Sequence, residues 1–326
     1  MNDVNLAAAT APPLGDLVAG VRAGDTRAVA RAITLVEEGL PEARALLAAL
    51  FPHGGDPLVV GVTGPPGAGK SSLVDRLTAH LREQGRTVGI VAVDPTSPFS
   101  GGAILGDRIR MQSHATDPGV FIRSMATRGH LGGLSAATHQ ALLVLSASGK
   151  DLILVETVGV GQDEVEIVGA ADVSLVVLVP GLGDEVQALK AGIMEIADVF
   201  VVNKADRDGV ERVVSEIESM LSLAPAGDDP PALVKTVATR DEGTAALFEA
   251  VEAFRRRAEA SGAFALTRRA QLRRQLEDAV RERVMAHVFR RVVPPAELDA
   301  TVERLAARTE DPFTAAESIV KRMGLA

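Results

Sequence analysis

The sequence contains no cysteine, no tryptophan and no tyrosine among its 326 residues, and only 9 phenylalanines. Without thiols there is no disulfide, no thiolate zinc site and no cysteine nucleophile, and an unstapled chain of this length is expected in the cytoplasm. So few aromatic rings leave little platform for stacking nucleic-acid bases. Positive charge is in deficit too: 34 Lys and Arg stand against 43 Asp and Glu, a formal net charge of −9. That balance opposes non-specific nucleic-acid binding, in which protein cations must replace counterions along the phosphates. The first basic residue is Arg22, so neither the basic region of a secretory signal nor an Arg-rich transit peptide is expected. The longest strongly apolar run, around 173–179, is far too short to cross a bilayer. The expectation is a globular protein of about two domains with no nucleic-acid and no membrane partner.

Residues 1–13 show no apolar period and end in Ala11-Pro12-Pro13, which predicts a frayed leader. Apolar residues then recur at helical spacing through Leu17, Val21, Val29, Ile33, Val36, Leu46 and Leu50, punctuated by Gly24, Gly39 and Pro41. That pattern predicts three short helices, an N-terminal helical extension over 1–57. From 58 to about 262, short β-branched runs at 58–62, 87–93, 120–122, 152–155, 173–179, 199–202 and 233–237 alternate with helical stretches. Near-continuous apolar strands separated by helices predict an α/β domain, a doubly wound, mainly parallel sheet covered on both faces. In the remainder, 263–326, Leu272, Leu276, Val280, Val284 and Val288 step by four, which on a helix of 3.6 residues per turn makes a slanted apolar stripe. Between residues 255 and 291 there are 11 Arg and 4 acidic residues. Solvated helix faces supporting a helical dimerisation arm explain this, and a surface for an acidic partner or nucleic acid is the alternative.

Gly64-Pro65-Pro66-Gly67-Ala68-Gly69-Lys70-Ser71 matches the phosphate-binding pattern G-x-x-x-x-G-K-[ST], between a predicted strand and a predicted helix. Its glycines let backbone N–H groups turn inward on phosphate oxygens, and the helix N-terminus running on through Ser72 adds its dipole. Lys70 is expected to bridge the β- and γ-phosphates, and the Ser71 hydroxyl to ligate Mg²⁺. At the end of a later strand stands Asn203-Lys204-Ala205-Asp206. A carboxylate there accepts from both N1–H and the exocyclic amine of guanine, whereas adenine would leave it unpaired, so Asp206 selects GTP over ATP. Asn203 and Lys204 are expected to brace the loop and stack along the base. The stretch Ala238-Thr239-Arg240 is the expected place for a backbone N–H to meet the guanine carbonyl.

Glu156-Thr157-Val158-Gly159 ends another strand, where an acidic residue holds Mg²⁺ through water and a glycine N–H senses the γ-phosphate. Gln162 either positions the attacking water or is a solvated loop residue. Asp94, at a strand end, and Asp107, opening a helix, either hold Mg²⁺ or orient water, or cap a turn. The six histidines, 53, 80, 114, 130, 139 and 287, show no ligand spacing, so no transition-metal site is expected.

Three stretches together resemble the MeaB/ArgK family of SIMIBI-class P-loop GTPases. They are Val93 to Pro98 (VDPTSP), Gly101 to Met111 (GGAILGDRIRM) and Glu156 to Gln162 (ETVGVGQ). The run from Pro180-Gly181-Leu182-Gly183-Asp184-Glu185 through Gln187 and Lys190 to the Asn203 motif fits as well. The resemblance implies a homodimeric GTPase, binding GTP or GDP with Mg²⁺, that serves adenosylcobalamin-dependent methylmalonyl-CoA mutase as a chaperone, gating cofactor loading and protecting against inactivation. It further implies that 184–190 acts as an additional switch and that the tail forms the dimer arm. Alternatives are a kinase of the type once assigned to arginine/ornithine transport and a nickel-insertion GTPase. The first would need ATP, against Asp206, and the second His- and Cys-rich metal sites.

Overall fold

In the computed structural model, residues 13–94, 112–126, 136–157, 169–181, 196–222 and 230–323 are described. The seven apolar runs form one seven-stranded sheet: β1 Leu58–Thr63, β2 Val88–Asp94, β3 Val120–Ala126, β4 Leu152–Thr157, β5 Val173–Leu178, β6 Val199–Val202 and β7 Ala232–Lys235. All pairings are parallel, in the order β3-β2-β4-β1-β5-β6-β7. The sheet is therefore fully parallel, where the sequence reading allowed a mainly parallel one. The chain winds from β1 towards β3, returns to insert β4 beside β1, and then continues on the other side through β5. Such a reversal opens a crevice at the carboxyl ends of the central strands.

Because successive strand residues face opposite sides, each run supplies two cores. Leu58, Val60 and Val62 of β1, Leu152 and Leu154 of β4 and Val173, Leu175 and Val177 of β5 point to one face. There they meet Leu73, Leu77 and Leu81 of α4 (Lys70–Glu83) and Leu247 and Val251 of a helix over Thr244–Ser261. On the opposite face, Val91, Phe121, Met125, Ile153 and Val155 pack under α1 (Leu14–Arg22), α2 (Thr26–Glu37), α3 (Pro41–Leu50) and α5 (Ala136–Ala147). Further along that face, Val176, Phe200 and Val202 lie under α6 (Val210–Leu221); the Thr244–Ser261 helix is α7. Each fully buried Leu, Ile or Val contributes about 1.5–3 kcal/mol, so these layers are the main source of stability. The three N-terminal helices thus complete the covering of the β2–β4 side. Local signals start them: Asp25 accepts from the Ala28 N–H at 2.7 Å, and Pro41 opens α3.

The chain divides into two compact units, 1–268 and 269–326. Helix α8, Ala263–His287, starts in the first unit. Its Arg268 is fixed at the amino ends of the central strands: Nε and Nη2 donate to the two oxygens of Asp172 at 2.9 Å each, Nη1 to Asp56 at 2.8 Å and Nη2 to the Pro57 carbonyl at 2.9 Å. The guanidinium also stacks on Phe264, 4.6 Å from the ring centre. Asp172 itself joins β1 to β5, accepting from the Val59 N–H at 2.9 Å.

In the second unit the rest of α8 leads through a π-helical turn, Val288–Val292, to α9 (Pro295–Ala306) and α10 (Pro312–Arg322). Pro294 and Pro295 end one helix and open the next. Arg322 pairs with Glu297 and with the Val292 carbonyl, and Asp311 caps α10 by accepting from Phe313 and Thr314. Leu272, Leu276, Val280 and Val284 are exposed, Leu276 to 66%. Among the described residues no helix is long and apolar enough to cross a membrane.

One buried acid makes stability depend on pH. Asp198, just before β6, accepts from the Ser174 N–H at 2.8 Å. Burial pushes its carboxyl up from 3.8 to about 6, against the pull of that hydrogen bond. The folded state holds this proton more tightly than the unfolded chain, so its stabilisation is complete at low pH and is lost as pH rises from about 4 through 6. The shift corresponds to about 3 kcal/mol at 1.36 kcal/mol per unit. Asn keeps the acceptor and carries no charge. Asp198→Asn is therefore expected to raise the denaturation midpoint at pH 8 and to leave it nearly unchanged at pH 4, measured by urea titration at both values. Equal effects at the two pH values would disprove the assignment.

Candidate nucleotide site

The loop between β1 and α4 is shaped by backbone that only glycine adopts readily. Gly64 has φ +139°, and a Cβ there would lie 2.1 Å from the Val177 carbonyl oxygen. Gly69 has φ +87°, with a Cβ position 2.5 Å from Asn203 Nδ2. Both sites thus need glycine for conformation and for closeness to a neighbouring strand end. Gly69 caps α4 without a side chain, and the positive end of the helix dipole that starts there favours an anion. Lys70 is buried, and its ammonium donates to the carbonyls of Gly64 at 2.7 Å and Pro65 at 3.1 Å. Those bonds hold the charge inside the loop formed by Gly64, Pro65, Pro66, Gly67, Ala68 and Gly69.

Ser71 and Glu156 come together across 85 positions of sequence. The serine hydroxyl donates to Glu156 Oε1 at 2.7 Å, and Glu156, at the end of β4, is only 4% exposed. Beside them Thr157 donates to Thr63 at 3.1 Å, joining the tips of β4 and β1. A buried hydroxyl next to one carboxylate is a hard-oxygen pair. It suits Mg²⁺, which keeps water and substrate phosphates as its other ligands, better than a metal needing an all-protein cage. Among the described residues no three His, Cys, Asp or Glu side chains gather to hold a metal.

The second motif is wired into the first. Asn203, 2% exposed, donates from Nδ2 to the Ala68 carbonyl at 2.8 Å. Its Oδ1 accepts from the Thr236 hydroxyl at 3.1 Å and from the Ala238 N–H at 3.2 Å. Lys204, in the left-handed region at φ +56°, donates to the Gly67 carbonyl at 2.6 Å. Burial, and then the charge of Arg207, hold the Lys204 ammonium below the usual lysine range. The Ala205 N–H donates to the Thr236 carbonyl at 3.0 Å and the Arg240 N–H to the Val237 carbonyl at 2.9 Å. Three loops, from β1, β6 and β7, are thereby fixed as one wall of the crevice. Thr239 and Arg240 are exposed, and Arg240 Nη2 lies 3.2 Å from Asp206 Oδ2.

Asp94 closes β2, its backbone paired with Ala126; its side chain, and all of Asp107, Gln162 and 184–190, lie outside the described residues. Arg123, on β3, is committed away from the crevice, pairing with Glu37 and donating to Thr34 at 3.2 Å. Thr236 and Thr63 escaped the sequence reading. A hydroxyl at a strand tip carries no motif of its own, and only the position of each at the end of an apolar run hinted at the crevice.

Comparison with known proteins bears on the family and the fold. A protein from Pyrococcus abyssi, named as a GTPase, is 47% identical over 95% of this chain and 97% of its own. The GTPase ArgK of Escherichia coli is 36% identical over 85% and 86%. A crystal structure of a LAO/AO transport system kinase superposes with a TM-score of 0.71 at 28% identity, covering 95% of this chain and 97% of that one. Residues 29–292 match the family described as methylmalonyl Co-A mutase-associated GTPase MeaB. The chain belongs to this MeaB family of P-loop GTPases.

Proposed function

We propose that the protein is a Mg²⁺-dependent switch that hydrolyses GTP slowly on its own and acts as a chaperone of adenosylcobalamin-dependent methylmalonyl-CoA mutase, gating cofactor loading and protecting the enzyme from inactivation. The observation that carries the nucleotide part is the direct wiring of Asn203 and Lys204 to the phosphate loop, which couples base recognition to phosphate binding. The partner rests on the family description and on the name of a mouse relative, methylmalonic aciduria type A homolog, 35% identical over 83% of this chain and 70% of its own.

In this reading the N–H groups of Gly67 to Ser72 and the Lys70 ammonium hold the phosphates. Asp206 reads guanine while Ala238 to Arg240 close over the base. Ser71 and Glu156 would hold Mg²⁺, with Asp94 and Asp107 as further acidic positions. When bound, the cation neutralises charge building on the phosphate oxygens. Gln162 orients the attacking water, and 184–190 answers the partner. Turnover is slow because no arginine of this chain is assigned to the transferring phosphate; one supplied in trans adds on the order of 10³–10⁵. The exposed row Leu272, Leu276, Val280 and Val284 serves a cytoplasmic homodimer through the C-terminal arm.

The test is steady-state phosphate release from GTP with and without purified methylmalonyl-CoA mutase, with ATP and Asp206→Ala as controls. Stimulation by the mutase, seen with GTP and not ATP, is expected, together with loss of nucleotide preference in the variant. Phosphate transferred from ATP to an acceptor would favour the kinase reading. Slow turnover unchanged by the mutase, with no complex on a sizing column, would remove this partner.

A further inference from the structure

We infer that Arg240 competes with guanine for Asp206 and so sets both the affinity for guanine nucleotides and how strictly the exocyclic amine is read; this rests on the assignment of Asp206 as the guanine-reading carboxylate. The two residues sit on loops whose backbones are locked together. Ala205 donates to Thr236, Ala238 to Asn203 and Arg240 to Val237, while Val237 and Glu242 form a two-way bridge that closes the Arg240 turn. Asp241, at φ +59°, and Gly243, at φ +83° with a Cβ position 2.2 Å from the Lys235 carbonyl oxygen, fix the exit of that turn. The Arg240 backbone therefore has one place, and its long side chain is the movable part. Its side chain is 60% exposed and places Nη2 3.2 Å from one oxygen of Asp206, whose side chain is 32% exposed.

Guanine's N1–H and its amine each need one carboxylate oxygen, aligned in the plane of the base. A guanidinium resting on one of those oxygens must leave before both bonds form. A base with N1–H but no amine, hypoxanthine, needs only the other oxygen and can leave Arg240 where it is. The ion pair thus costs guanine something and hypoxanthine nothing. It is an exposed pair, in the range that salt screens and that is worth little by itself, so it tunes recognition without blocking it.

The experiment compares GDP and IDP binding to the full chain and to Arg240→Ala by calorimetry, in about 50 mM and about 500 mM salt. At low salt the variant is expected to bind GDP about 2–5-fold more tightly, with IDP unchanged and the gain lost at high salt, as for a screened surface pair. Weaker GDP binding, or GDP and IDP moving together, would show that Arg240 braces the loop and overturn the proposal. Asp206→Asn, tested against GDP and XDP, separates this from the underlying assignment. The amide can donate to the 2-carbonyl of xanthine, so a turn towards XDP upholds Asp206 as the reader whatever Arg240 does. If XDP is not favoured and Arg240→Ala has no effect, both readings fall.

Discussion

Replacing Lys70 with alanine is expected to weaken GTP binding by about 10²–10³-fold, and to weaken GDP binding less. The ammonium is buried in the loop by two carbonyl bonds, so its charge acts where water screens it poorly. Removing one partner of a desolvated, hydrogen-bonded charge pair costs about 2–5 kcal/mol, and each 1.4 kcal/mol is tenfold in affinity. The larger loss for GTP follows from the expected reach of the lysine to the γ-phosphate. Fluorescence titration with labelled nucleotides measures both. Undiminished affinity would remove the phosphate-site assignment, and equal losses for GTP and GDP would remove only the γ-phosphate contact.

Arg268→Ala is expected to destabilise the protein strongly although the residue lies outside the crevice. Asp172 is 3% exposed at its side chain and takes two of its bonds from this guanidinium. Without Arg268 the carboxylate stays buried, with the Val59 N–H as its remaining donor among the described residues. Breaking a buried pair from one side costs about 3–5 kcal/mol because a charge is left uncompensated. Arg268 keeps partial contact with solvent, which puts the cost near the lower bound of about 3 kcal/mol. At about 2–4 °C per kcal/mol for a domain of this size, the melting temperature of the first unit falls by roughly 6–12 °C. The pairing makes a second outcome checkable. Adding Asp172→Asn to Arg268→Ala should restore part of the loss, since the double variant buries no unpaired charge. A shift of less than about 2 °C in the single variant, or strict additivity in the double, would show that the clamp contributes no net stability.

Both positions illustrate what was readable along the chain. Gly64 to Ser71 is contiguous, and a loop whose chemistry depends on neighbouring backbone groups can be recognised from spacing and residue type. Asn203 to Asp206 is equally local, and its place after an apolar run was enough to suggest a strand tip. The strands and helices followed from alternation of β-branched runs with helical periods, because burial on both faces of a parallel sheet leaves that mark on the sequence. Arg268, by contrast, is one of 11 arginines in a basic stretch, and nothing in its neighbours separates it from those on solvated faces.

The distinction is one of range. Residue order alone specified the glycine-rich loop, the Asn203–Asp206 tetrapeptide and the α/β layering, since each is encoded within a few positions and enforced by backbone sterics, hydrogen-bonding type or burial. Strand order was left to the tertiary structure, and with it every contact between distant positions. Asn203 meets Ala68 across 135 residues, Asp172 meets Val59 across 113 and Arg268 meets Asp56 across 212. Those meetings depend on β4 and β5 flanking β1, an arrangement chosen by the packing of whole faces. The Arg240–Asp206 pair and the Ser71–Glu156 bond belong to the same class: their partners are fixed by which strand ends the sheet brings together, which no local pattern carries.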